Sequence, residues 1–110
     1  MRILLDACVP RRLREGLQGH DVRTAQEEGW GDLNNGSLLD AMAGRFYALV
    51  TVDKRLPKQQ NVANRSFGIV VLRARSNRLA DLSPLLPDLL AAFGTLLPGE
   101  VIEVGSQGSS

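Results

Sequence analysis

The chain has 110 residues, room for one domain and one modest core. Apolar residues make up 44% and charged residues 23%, which excludes a disordered or collagen-like chain, and no apolar run approaches the ~18 residues of a membrane span. The formal charge of +1 conceals a pattern. Residues 1–43 hold five bases and seven acids, residues 44–78 eight bases and one acid, and residues 79–110 four acids and no base. A basic middle between acidic flanks fits an anionic partner such as nucleic acid, and equally fits a solvated surface. Eleven of the 13 bases are Arg, whose planar fork suits phosphate better than a Lys point charge.

Cys8 is the single cysteine and has no partner for an internal disulfide, so a reducing cytosol is the expected compartment. Met1 to Asp6 meets a carboxylate too early for a secretory apolar region. With His20 as the one histidine, a zinc finger or ribbon is excluded, and any Ser-His-Asp or Cys-His pair would have to use His20.

In chain order, Ile3-Leu4-Leu5 is a short apolar run that fits a strand buried on both faces, closed by Asp6. Pro10 suits the first turn of a helix carrying Val9, Leu13 and Leu17 on one face and ended by Gly19. Asp21 to Ala25 reads as a second strand, and Glu27 to Asp32 as a loop. Asn34-Asn35-Gly36-Ser37 offers N-cap chemistry for a helix with Leu38, Leu39, Met42 and Phe46. Ala48 to Val52 is the third strand, closed by Asp53. Lys54 to Asn64 is polar and basic, a loop with a helical turn, and Phe67 to Leu72 is the fourth strand.

Ser83-Pro84 starts the clearest helix, with Leu82, Leu85, Leu86, Leu89, Leu90 and Phe93 on one apolar face. Pro98-Gly99 turns the chain, and Glu100 to Val104 alternates like an edge strand. The expected organisation is one domain over residues 1–104 with a flexible tail over 105–110. Alternating strands and helices, with unbroken apolar runs as strands, predict an α/β three-layer fold. Its central sheet has four or five mostly parallel strands, with helices on both faces.

Ligands of open parallel sheets bind at the carboxyl ends of the strands, near the switch in strand order. Asp6 and Asp53 occupy that edge by sequence alone, and Thr51 shares a side of its strand with Asp53. Paired carboxylates can hold Mg²⁺ or Mn²⁺, and a bound ion can activate water and offset charge on a scissile phosphate. The same aspartates could equally cap strand ends or neighbouring helices.

Several segments together carry a family likeness: Leu4 to Arg11, Gly19 to Thr24, and Val50-Thr51-Val52-Asp53-Lys54-Arg55-Leu56. Gly29-Trp30, Asn35-Gly36, Gln59-Gln60-Asn61 and Leu72 to Leu79 extend it. These segments resemble a PIN-like domain of the small branch found beside short antitoxin-like proteins. The resemblance implies a three-layer PIN-like fold and a Mg²⁺- or Mn²⁺-dependent ribonuclease, like the toxins of VapBC-type modules. On it, Asp6 matches the first acidic ligand, and Thr51 and Asp53 match the T-x-D element. RNA and a small antitoxin-like protein are the implied partners, with no membrane; a homodimer stays open.

The chain also departs from that pattern. Ala7 stands where relatives often carry Glu, Asn35-Gly36 where the preceding helix usually begins with Asp, and Arg55 where a further acid often follows. Two recognisable carboxylates imply weak or RNA-assisted metal binding. A site rearranged around Asp32, Asn35 or Asp40 stays open, as do a degenerate module that binds RNA or protein without cutting and a phosphate-ester hydrolase unrelated to RNA. The residues expected to meet RNA are Arg11, Arg12, Asn35, Lys54, Arg55, Lys58, Gln59, Gln60, Asn61, Arg73 and Arg75. Trp30 could stack on a base or anchor a loop, and His20 and Cys8 are read as structural.

Overall fold

Short apolar runs become strands buried on both faces in the computed structural model, which describes residues 1–105. Residues 106–110, most of the expected tail, lie outside the described residues. The strands β1 (Arg2–Leu5), β2 (Asp21–Thr24), β3 (Ala48–Thr51), β4 (Gly68–Leu72) and β5 (Val101–Val104) form one sheet. All four pairings are parallel, and the order is β2-β1-β3-β4-β5. Leu5 stands opposite Thr24 on one side and Val50 on the other, and Thr51 stands opposite Val71.

Alternate strand residues feed two separate clusters, as the two-residue period of a strand requires. Ile3, Leu5, Val50, Val70 and Leu72 pack with Leu13, Leu17, Leu82, Leu89 and Phe93. Leu4, Leu49, Ile69 and Val71 pack with Leu38, Leu39, Met42 and Leu56. The sheet is thus the middle layer of three. Among the described residues no helix is long and apolar enough to cross a membrane.

The strand order places a switch between β1 and β3. From β1 the chain moves outward to β2; from β2 it passes back over β1 to β3 and then continues through β4 to β5. The connections after β1 and after β3 pack on opposite faces of the sheet, the arrangement that in open α/β sheets marks the ligand-binding carboxyl edge. The β4-to-β5 connection packs on the same face as the β1-to-β2 connection although it crosses the sheet in the opposite direction. Those two crossovers are therefore of opposite hand, a departure from the strong preference for one hand. One consequence is local: the segment after β4 reaches the end of β1, where the Asn77 side-chain amide donates to the Cys8 carbonyl at 2.9 Å.

Two helical expectations are corrected. The segment after Pro10 is a 3₁₀ helix over Arg11–Gly16, not an α-helix, and Pro10 is its extended N-cap (ψ 133°). The chain must return from the end of β1 to the start of β2, about 13 Å for four strand residues. Six residues cover about 12 Å as a 3₁₀ helix and about 9 Å as an α-helix. Gly16 permits the close approach of the neighbouring segment on the same face of the sheet, since a Cβ there would collide with Leu86 Cδ1.

The leucine-rich helix is broken into α3 (Leu79–Leu82), a 3₁₀ turn (Ser83–Leu85) and α4 (Leu86–Thr95). Pro84 and Pro87 each lack the N–H that a continuous helix would use. A 3₁₀ turn winds faster than an α-turn, so the apolar face rotates across it. Leu82, Leu89 and Phe93 stay buried, whereas Leu90 is 38% exposed.

The remaining helices follow expectation except that Phe46, expected on the helix after Asn34, falls outside it. In α1 (Asn35–Met42) the Asn34 side chain accepts from the Ser37 N–H at 2.8 Å. Phe46 lies beyond that helix, past Gly44 at φ 77°, and is buried in the same cluster. The basic segment contains one helical turn, α2 (Leu56–Gln59), anchored by buried Leu56.

Candidate active site at the switch point

Asp6 directly follows β1, and its N–H still donates to the Val50 carbonyl at 2.9 Å, so the ladder extends to the carboxylate. The side chain is 9% exposed. Its Oδ1 accepts from the Ala7 N–H at 2.8 Å, and its Oδ2 accepts from the Thr51 hydroxyl at 2.7 Å. Thr51 ends β3 and is fully buried. Its Oγ1 in turn accepts from the Asp53 N–H at 3.1 Å. One hydroxyl thereby links both halves of the switch point, with its proton committed to Asp6.

Cys8 Sγ lies 3.7 Å from Asp6 Oδ2 and 3.5 Å from Thr51 Oγ1. Burial raises the thiol above its ordinary pKa, and the Asp6 charge raises it further. Cys8 is thus a neutral thiol at neutral pH and a poor nucleophile.

Asp53 is the more open carboxylate, its side chain 28% exposed. Its Oδ1 accepts from the Arg55 N–H at 2.9 Å, closing a local turn, and the Arg55 Nε stands 3.8 Å from the same oxygen. The guanidinium is 77% exposed, so this ion pair is weak and displaceable.

In donor type, Asp6 and Asp53 suit Mg²⁺ or Mn²⁺, which favour hard oxygen ligands. In number they fall short of a closed protein cage. Among the described residues no group of three His, Cys, Asp or Glu side chains is placed to hold a metal. Asp32 is exposed, and Asp40 pairs with Arg65 at 2.8 Å, so neither joins the two carboxylates in such a group. Two carboxylates with waters and substrate phosphates are nonetheless an ordinary Mg²⁺ donor set, so the donor chemistry suits an ion completed by phosphate.

The expected RNA-facing residues divide by what they already touch. Arg11, Lys54, Lys58, Gln59, Asn61 and Arg75 are exposed. Arg12 is exposed and loosely paired with Glu15 at 3.7 Å. Arg73 is committed to Glu103 at 2.8 Å, a pair bridging the ends of β4 and β5. Gln60 lies against α1, with its Oε1 3.3 Å from where a Gly36 Cβ would stand, and Asn35 is half-buried in the first turn of that helix.

His20 stands at the start of β2, the opposite end of the sheet from Asp6. It meets the Met1 amino group at 3.4 Å and the edge of Phe93 with ring centroids 5.3 Å apart. Trp30 packs edge-on to Phe46 at 6.0 Å, under the Arg45 guanidinium at 5.3 Å, as a loop anchor. Two contributors had no assigned role in the sequence. The Gln26 side chain donates to the Ala7 carbonyl at 3.3 Å, and Asn77 holds the Cys8 carbonyl. Both fix the loop that carries Asp6, and isolated amides of this kind leave no pattern in a sequence.

Comparison with family models, with curated proteins and with solved structures gave no match to the chain.

Proposed function

We propose that the chain is a Mg²⁺- or Mn²⁺-dependent ribonuclease of the PIN-like kind. The observation that carries this reading is the Asp6–Thr51–Asp53 linkage at the switch point, with exposed bases nearby in the chain. Asp6 and Asp53 would hold the ion, which when bound would activate water and offset charge on the scissile phosphate. Thr51 orients Asp6 by donating to Oδ2, and the Ala7 N–H fixes the other oxygen. Arg11, Lys54, Lys58 and Arg75 would hold the RNA backbone without reading sequence. The resemblance further suggests a toxin neutralised by a small antitoxin-like protein.

A second reading has its own support. The two-carboxylate set, with Arg55 beside Asp53, also suits a module that binds RNA or a partner without cutting. Calorimetric titration of Mn²⁺, alone and with a non-cleavable RNA, separates the two. The ribonuclease reading expects binding that strengthens when phosphate is supplied. Absence of Mn²⁺ binding under both conditions favours the non-catalytic module.

A further inference from the structure

A groove of about 630 Å³ opens beside the Asp6 loop on the β2 side of the sheet edge. Its volume is within the usual range for a small-ligand site, about 300–1,000 Å³. Pro10 and Leu79 supply apolar walls, Gln26 and Glu27 supply polar lining, and Arg11 and Arg12 complete the surface. The groove adjoins the candidate active site through the Gln26 hydrogen bond to the Ala7 carbonyl.

Hydrogen bonds to neighbouring groups hold the polar lining. Gln26 spends one amide N–H on Ala7, which leaves its carbonyl oxygen as an acceptor and its second N–H as a donor. Thr24 and Glu27 hold each other reciprocally. The Thr24 N–H donates to Glu27 Oε1 at 3.0 Å, and the Glu27 N–H donates to Thr24 Oγ1 at 3.1 Å. Arg14 Nη1 donates to the same Oε1 at 2.8 Å, so none of these bonds uses Oε2. Arg14 also offsets the Glu27 charge, which lessens repulsion of an incoming phosphate.

The uncommitted oxygens of Gln26 and Glu27 in a groove also lined by Pro10 and Leu79, with guanidinium groups alongside, suit a flat group with adjacent N–H donors and a phosphate. Guanine alone among the RNA bases presents a ring N–H beside an exocyclic amino group. Uracil places its ring N–H between two carbonyls, which would face the acceptors unfavourably. We propose that this groove binds a guanine base of single-stranded RNA next to the phosphodiester at Asp6. The assignment rests on the ribonuclease reading for its substrate class.

The test is fluorescence anisotropy in EDTA, where no metal-dependent cleavage occurs. The probes are labelled ten-nucleotide oligouridylates with one central G, A, C or U. The G probe is expected to bind about tenfold more tightly than the U probe, the scale of one good base contact. Glu27→Gln should bring the four probes within about twofold of one another, and Gln26→Ala should reduce the preference in part. Arg11→Ala should weaken all four by a similar factor, because a phosphate contact carries no base information. Thermal melts check that each variant stays folded.

Equal binding of the four probes by the wild type overturns the assignment, as does a G preference that both folded variants retain. Cleavage assayed separately with Mn²⁺ keeps the two claims apart. Cutting with no base preference in binding removes the guanine site and leaves the ribonuclease. A G preference abolished by Glu27→Gln, without cutting, supports the guanine site and removes the ribonuclease.

Discussion

The Thr51 hydroxyl donates to Asp6 Oδ2 at 2.7 Å while accepting from the Asp53 N–H at 3.1 Å. A buried hydroxyl in that position fixes a carboxylate on one strand and the backbone leading to a carboxylate on the next. Thr51→Val keeps the shape and removes both bonds, leaving the Asp53 N–H without its partner. We expect cleavage to fall about 10–100-fold, the usual cost of losing a group that orients a metal ligand. Stability should fall by about 1–3 kcal/mol, read by denaturant titration. Thr51→Ser restores the hydroxyl and should recover most of both. A Val variant as active as the wild type would remove Thr51 from the site.

Arg55 occupies the position beside Asp53 where a cation would compete for the same oxygen. The guanidinium is largely exposed, so its removal costs little stability, and the Arg55 N–H that closes the turn is kept in Arg55→Ala. Mn²⁺ affinity, read calorimetrically, should rise about twofold to fivefold in that variant, since removing one nearby exposed charge is worth under ~1 kcal/mol. Unchanged or weakened affinity would show that Asp53 does not contact the ion.

Cys8 reports on the charge of its neighbour. Burial is the larger reason its thiol resists ionisation, and the Asp6 carboxylate is the second. Alkylation by iodoacetamide at pH 7.5 should be slower than that of a free cysteine in a peptide. In Asp6→Asn the charge is gone and burial remains, so the rate should rise without reaching the peptide value. A rate that does not change would mean that burial alone governs the thiol.

Glu27 contributes to acid stability. The Arg14 hydrogen bond, aided by the Thr24 N–H, holds Glu27 down to about 2, from an ordinary 4.5. A carboxyl lowered in the folded state contributes stability above its unfolded pKa and loses it as pH falls through the folded value. The melting temperature should therefore drop between pH 4.5 and about 2. The drop should be modest, because the Glu27 side chain is 32% exposed and solvent screens the pair. Arg14→Ala should show a shallower decline across the same window, since Glu27 then titrates closer to its unfolded value. An identical slope would assign the acid sensitivity to other carboxyls.

The strands and the edge they build were legible in the sequence because short apolar runs ending in Asp, such as Ile3 to Asp6 and Ala48 to Asp53, leave few other solutions. The hydrogen bond between Thr51 and Asp6 was not read from the sequence; it arises because Asp6 follows β1 and Thr51 ends β3, strands that prove to be neighbours. The strand order was not legible, because nothing local records which apolar run pairs with which. The segment after Pro10 winds as a 3₁₀ helix, which the spacing of Val9, Leu13 and Leu17 does not encode. The break at Ser83–Leu85 was signalled by Pro84 and Pro87, but the strong leucine period outweighed it. Gln26 and Asn77 act through single hydrogen bonds to the Asp6 loop across the fold, which no periodicity encodes.

Metal-dependent cutting of RNA is proposed to rest on Asp6 and Asp53 together. The measurement that tests it most directly is cleavage of a mixed-sequence single-stranded RNA with Mn²⁺, with Mg²⁺ and with EDTA, the purified wild type run beside Asp6→Asn and Asp53→Asn. The wild type should cut with either metal and not in EDTA, and both variants should lose cutting while their melting curves still show a folded protein. No cutting with either metal, or equal cutting by the two variants, would contradict it.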